Sequence, residues 1–177
     1  MFLPQQRRSF LQTSLGLRML ELGIRDYGEY YEKIQDGPSG VMEWSTLVDR
    51  LTVQETRFFR DPDALQLVVE HMRRQRPRLQ AREETMEFWS VGCSSGEEAY
   101  TLAMLAEENL ASTGLKYSIT GTDISTIVLR KARSGRYPLR ALERIPVEYH
   151  NWAIAPLSSQ QVEVAGQLRR RCCFSQV

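Results

Sequence analysis

The 177-residue chain predicts an α/β fold, with a small all-helical N-terminal domain followed by a Rossmann-like sheet domain. Three observations carry that prediction. Residues from about 5 to 80 keep apolar side chains at helical spacing. From Met86 onward the order becomes strand, tight turn, helix, strand, helix, the signature of a parallel, doubly wound sheet. The first strand also runs straight into a turn of glycine and serine that opens a helix. The charged stretch Arg78 to Glu84 is read as the boundary, giving a helical domain over 1–80 and an α/β domain over 81–177.

The elements follow in order. Phe10, Leu11, Leu15, Leu17, Met19, Leu20 and Leu22 predict a first helix that stops at Gly23. Asp26 and Glu29 have capping-box spacing and start a short helix through Tyr30, Tyr31 and Ile34, ending near Gly37-Pro38. A third helix fits Met42 to Leu51. Asp61-Pro62 opens a fourth, with Asp as cap and Pro in the first turn, and it should end before Pro77. Met86 to Val91 is a strand, Gly92 to Gly96 a turn, and Glu97 to Asn109 a helix. Tyr117 to Thr122 is the next strand, closed by Asp123, and Ser125 to Ser134 the next helix. Leu139 to Arg144 reads as a short helix, and Val162 to Val164 and Cys172 to Val177 as strands.

Composition narrows the function classes. Lys and Arg number 23 against 22 Asp and Glu, so the net charge of +1 argues against a dedicated nucleic-acid binder. Hydrophobic residues at 42% and charged residues at 25% describe a folded chain rather than a disordered one. No apolar run is long enough to span a membrane, and MFLPQQRRSF has no secretory core. Three cysteines, two of them adjacent at Cys172 and Cys173, make no disulfide framework and point to a reduced, cytoplasmic setting. His71 and His150 lie far apart, so no metal site is expected. Basic residues cluster at Arg130, Lys131, Arg133, Arg136, Arg140 and Arg144. They are read as a solvated face or as a docking surface for an acidic partner.

The strongest local signal is Trp89-Ser90-Val91-Gly92-Cys93-Ser94-Ser95-Gly96-Glu97-Glu98. Small residues there let the backbone approach a ligand closely. Asp123, at the end of the next strand, is placed to bond the two hydroxyls of a ribose. The spacing is G-x-x-x-G rather than the dinucleotide fingerprint, and two acids open the helix. A pyrophosphate would meet like charge there. S-adenosylmethionine, with a sulfonium, an amino group and no phosphate, suits the turn better. A plainer reading has Glu97 and Glu98 simply complementing the helix dipole. Upstream, Phe58-Phe59 between Arg57 and Arg60 reads either as core packing, with the arginines paired to Glu55 and Asp61, or as a segment gripping the cofactor or substrate. In the second case Arg60 would hold a carboxylate.

These residues together resemble a known family. Glu55-Thr56-Arg57-Phe58-Phe59-Arg60-Asp61, the Trp89 to Tyr100 turn and helix start, Gly121-Thr122-Asp123-Ile124-Ser125, and Val128 to Tyr137 occur in the order found in the CheR-type chemoreceptor glutamate methyltransferases. Leu20 to Ile24 and Glu29-Tyr30-Tyr31 resemble that family's N-terminal helical domain. The resemblance implies methyl transfer from S-adenosylmethionine to glutamates on the cytoplasmic helices of methyl-accepting chemoreceptors, leaving S-adenosylhomocysteine. It implies that Gln54, Thr56, Arg60, Gly92, Glu98 and Asp123 bind the cofactor, with Arg60 the catalytic candidate near the reacting end. Glu98 would take the amino group and Asp123 the ribose. Gln54 stands where the family usually has an asparagine.

Set against that family, the sheet is expected to be incomplete. The chain is expected to be an N-terminal fragment, inactive alone and prone to self-association through an exposed sheet edge. No place is found for the family's further strands, its active-site tyrosine or its small inserted β-subdomain. Two other readings stand beside this one: a non-catalytic module that binds a receptor or partner helix, and an unrelated nucleotide-binding domain using NAD. Nothing in the residues chooses between flagellar and type IV pilus signalling.

Overall fold

The structure, a computed structural model, describes residues 5–51 and 55–177. The chain divides into two compact units, Met1–Val53 with Ile124–Thr126, and Gln54–Asp123 with Ile127–Val177. The division falls at Val53–Gln54, well before the charged stretch at 78–84 where the sequence reading put it. The reason is the fourth helix, which gives Val69, Met72 and Leu79 to the core of the α/β unit and packs on the helix after the glycine turn. Charged residues mark the surface between that helix and the first strand, not a domain boundary.

The first unit consists of α1 (Gln5–Leu22), α2 (Tyr27–Gln35) and α3 (Gly37–Leu51). Gly23 ends α1 at φ +72°, and Asp26 caps α2 by accepting the Glu29 amide at 3.1 Å. Gly37-Pro38 opens α3 instead of closing α2, so α3 begins earlier than the apolar pattern suggests. Proline is tolerated there because the first turn has no partner for its missing amide. A side chain at Gly40 would collide with the Ile34 carbonyl, so glycine lets α3 start against the end of α2. Met19, Tyr30 and Leu47 form the small core, with Leu15, Leu22, Ile24, Ile34 and Leu51 against it.

Glu43 is buried beside that core. Arg18 donates to both its oxygens, at 2.8 and 2.6 Å, and the Tyr30 hydroxyl donates at 2.8 Å. Arg18 and then burial-opposing bonds from Tyr30 hold the Glu43 carboxyl below the usual carboxylate range. Burial and Glu43 push the Tyr30 hydroxyl up to about 12, so it stays a donor.

The second unit has one core. α4 (Pro62–Ala81) is capped by Asp61, which accepts the Ala64 amide at 3.1 Å, and it continues through Pro77 rather than ending before it. Leu79, buried in the core, anchors the last turn past the proline. β1 (Met86–Val91), β2 (Tyr117–Asp123) and β6 (Cys172–Gln176) form a parallel sheet in the order β1-β2-β6, with Phe88 beside Ile119 and Gly121 beside Phe174. α5 (Glu97–Leu110) covers one face of it and is buried almost all round. α6 (Thr126–Ser134) contributes Leu129 and Ala132. On the other face Trp89 and Val91 are each 67% exposed, and Thr120 and Cys173 are exposed too.

Between α6 and β6 lies an element the sequence reading left without a place. β3 (Arg136–Pro138), β4 (Ile154–Pro156) and β5 (Gln161–Val164) make a small antiparallel sheet in the order β3-β5-β4, with α7 (Val147–Ala153) ahead of β4. Strands of three or four residues are too short to show an alternating pattern, which is why only Val162 to Val164 was legible. Leu139–Arg144 is a 3-10 turn. α8 (Gly166–Arg169) leads into β6, and Arg171 lies over the Tyr117 ring at 5.1 Å. The Arg169–Arg171 run is therefore part of the fold, since Arg169 also pairs with Glu163 at 3.1 Å.

The Glu43 cluster gives a test. Its lowered acidity means the stabilisation is complete above the usual carboxylate range and is lost as the pH falls through the lowered value. Glu43→Gln should cost the helical unit about 3 kcal/mol, the scale for breaking a buried ion pair from one side. It should also flatten the acid dependence. Amide exchange across α1–α3, measured as a function of pH, checks both.

Candidate functional site

The candidate site is built on the turn between β1 and α5. Gly92 leaves the strand at φ +69°, and a side chain there would meet nothing within 4 Å, so the space in front of it is open. The Cys93 amide donates to the Thr122 carbonyl at 2.9 Å, tying the turn to the end of β2. Ser94 follows at φ +49°, a conformation that costs a non-glycine residue about 1 kcal/mol or more. In that conformation its amide points at Asp123 and donates to Oδ2 at 2.9 Å. Gly96, at φ +92°, begins α5. A side chain there would lie 2.9 Å from the Ala132 Cβ and 3.2 Å from the Tyr137 hydroxyl, so only glycine fits.

Two acids flank this turn differently. Ser95 donates its hydroxyl to Glu97 at 2.8 Å, and burial pushes the Glu97 carboxyl up. Glu97 is thus an internal group of the turn. Glu98 is exposed, and Ser90 donates to it at 2.6 Å from the end of β1. Burial first, and the nearby Asp123 charge second, raise the Cys93 thiol to about 11, so it stays a neutral packing group.

The segment before α4 lies in the same unit. Phe58 is buried, its ring 4.8 Å from Tyr137, and Phe59 sits 5.2 Å from Tyr149. The two rings are core, as the packing alternative had it. The arginines do not pair with Glu55 and Asp61 through their carboxylates. Arg60 donates to the Glu55 carbonyl at 3.1 Å, Arg57 donates to the Arg60 carbonyl at 3.4 Å, and Asp61 is occupied as the α4 cap. Arg60 is exposed and Thr56 half-buried. Gln54 lies outside the described residues.

The structure therefore brings Gly92, Glu98 and Asp123 together around one turn and sets the Thr56–Arg60 segment beside the start of α5. Sequence reasoning missed three contributors. Ser94 has a buried hydroxyl with no partner. Thr101 accepts the Phe59 amide at 3.2 Å and donates to the Glu97 carbonyl at 2.7 Å. Tyr137 donates to the Ser95 carbonyl at 2.7 Å. Only the left-handed Ser94 and Phe59 would have pointed to them, and backbone conformation at a non-glycine residue leaves no mark in sequence. Among the described residues no cluster of His, Cys, Asp and Glu could hold a metal ion.

These residues fit S-adenosylmethionine. An open approach to the Gly92 backbone, an oriented Asp123 carboxylate, an exposed Glu98 and the unpartnered Ser94 hydroxyl offer acceptors and negative charge to a ligand with hydroxyls, an amino group and a cationic sulfur.

Comparison with known proteins agrees. Residues 1–52 match the description "CheR methyltransferase, all-alpha domain" and residues 54–177 match "CheR methyltransferase, SAM binding domain", where SAM is S-adenosylmethionine. The two matches meet where the compact units divide. The chain is 32% identical over 144 residues to the chemotaxis protein methyltransferase of Escherichia coli K12, covering 81% of this chain and 47% of that protein. It is 36% identical over 137 residues to chemotaxis protein methyltransferase 2 of Pseudomonas aeruginosa PAO1, covering 77% and 46%. A more extended match, 25% over 179 residues, is to the chemotaxis protein methyltransferase of Borreliella burgdorferi, covering 99% and 63%. The chain spans about half the length of the first two relatives. With its helical unit and its cofactor turn each matched in order, the chain belongs to the CheR methyltransferase family.

Proposed function

We propose that this chain is the cofactor-binding part of a protein-glutamate O-methyltransferase that acts on the cytoplasmic helices of methyl-accepting chemoreceptors. The observation that carries the reading is the Ser94–Asp123 bond, which ties an acceptor carboxylate to the turn that opens at Gly92. When bound, S-adenosylmethionine supplies a methyl group activated by a positive sulfur. Asp123 then accepts from the ribose hydroxyls, and Glu98 faces the amino end. Thr56 and Arg60 border the reacting end, where the exposed Arg60 guanidinium orients an incoming carboxylate. A glutamate side chain is already a carboxylate at neutral pH, so the residues must align it rather than deprotonate it.

The non-catalytic alternative shares the docking step but not the chemistry. It predicts receptor binding that is indifferent to Asp123 and Arg60. No helix among the described residues is long and apolar enough to cross a membrane. On our reading the protein works in the cytoplasm, and residues 1–177 alone are inactive. Among the described residues β1 pairs on one edge only, and Trp89 and Val91 are exposed.

Two measurements test this. In the protein as its gene encodes it, Asp123→Ala should weaken S-adenosylhomocysteine binding about tenfold or more, the scale of a lost charge-assisted hydrogen bond, while the fold is retained. Unchanged affinity by calorimetry sinks the ribose assignment. Residues 1–177 alone should associate through the open β1 edge as concentration rises. Sedimentation that shows a monomer throughout overturns that expectation.

A further inference from the structure

Phe59 adopts φ +49°, a left-handed conformation that an aromatic residue rarely takes unless its surroundings impose it. The imposing groups are identifiable. The Phe59 amide donates to the Thr101 hydroxyl at 3.2 Å, and that hydroxyl donates onward to the Glu97 carbonyl at 2.7 Å. Thr101 is buried, one turn into α5, so its hydroxyl has no water to exchange with. On the neighbouring residue, the Phe58 ring stands edge-on to Tyr137 at 4.8 Å. The Tyr137 hydroxyl in turn donates to the Ser95 carbonyl of the cofactor turn at 2.7 Å. The segment that ends in Arg60 is thus held at two successive residues, by a hydrogen bond to Thr101 of α5 and by a ring that also grips the cofactor turn.

We infer that Thr101 and Tyr137 are positioning residues that hold the Glu55–Arg60 segment in register with the Gly92–Gly96 turn. The inference rests on the methyltransferase reading for its purpose, because that reading places Arg60 at the reacting end. Neither residue touches the reacting groups. Thr101 acts by fixing the backbone one residue before Arg60, and Tyr137 acts by joining Phe58 to Ser95. A packing role alone would make a different demand. Thr101 would then be replaced well by valine, which has its shape, and poorly by serine, which lacks its methyl group. The positioning role reverses that order, since serine keeps the hydroxyl and valine loses it.

The experiment follows from that reversal and uses the protein as its gene encodes it. Thr101→Val should speed amide exchange at Phe59 about tenfold and weaken S-adenosylhomocysteine binding about fivefold, while Thr101→Ser stays close to wild type in both. Tyr137→Phe keeps the ring against Phe58 and loses only the bond to Ser95. It should weaken binding by a similar factor and speed exchange in the turn while Phe59 stays protected. The inference is overturned if Thr101→Val leaves Phe59 exchange unchanged, or if Thr101→Ser is as damaging as Thr101→Val. It is overturned for Tyr137 if Tyr137→Phe leaves the turn amides as slow as wild type. If the wild-type protein takes up no S-adenosylhomocysteine, the methyltransferase reading fails, and exchange at Phe59 and the turn still decides whether the segment is held as described.

Discussion

At Gly96 the start of α5 comes so near α6 that a single added carbon would stand 2.9 Å from the Ala132 Cβ. Much else depends on that contact. It requires a residue without a side chain at φ +92°, and so places the turn from β1 into α5 at one position. It sinks α5 into the core, with Ala99, Ala103 and Ala106 wholly buried. It brings Tyr137 close enough to bond the Ser95 carbonyl. A second close approach supports the first. Gly121 in β2 leaves room for the Phe174 ring and the Cys93 sulfur, which a side chain would meet at 2.7 and 3.0 Å. Both glycines serve packing. Gly92, by contrast, has open space before it.

The sequence showed the frame of the fold where short-range chemistry decides. The Asp26 and Asp61 caps and the β1 boundaries are each set by residues within a turn or a strand of one another. What stayed hidden depends on distant partners. α4 passes through Pro77 because Leu79 is buried by the sheet unit, and no local preference announces that. The small antiparallel sheet has strands too short for a pattern. Thr101 looks like an ordinary helix residue, and its role comes from an amide 42 positions away in sequence. The domain boundary was misplaced for the same reason, since charge between two elements says nothing about which core each one joins.

The two units are held by different physics. The helical unit has a small apolar core and a buried carboxylate satisfied by Arg18 and Tyr30. Such a pair adds little net stability over an apolar pair but is costly to break from one side. The α/β unit instead has a large apolar core in which buried hydroxyls bond carbonyls or carboxylates, as in Tyr100 to Ala132 and Tyr149 to Glu108. One unit is therefore sensitive to acid, and the other chiefly to cavities and lost hydrogen bonds.

The acidities around the site bear on what it can do. Burial pushes the Cys93 and Cys172 thiols and the Tyr137 hydroxyl up, so these three stay protonated near neutral pH, and it pushes the Glu97 carboxyl up as well. A site that had to remove a proton would keep an accessible group with an acidity moved toward neutrality. Here the shifted groups are withdrawn from solvent by burial, and Glu98 and Arg60 are exposed. Such a distribution agrees with the proposed reaction, in which a carboxylate and a cationic methyl donor would arrive already activated. What remains for the protein is geometry, and geometry is where this unit places its strain. Two left-handed residues, Ser94 and Phe59, orient an amide toward Asp123 and an amide toward Thr101. Strain kept in this way is useful only if the surrounding fold is rigid enough to maintain it, which the close packing at Gly96 provides.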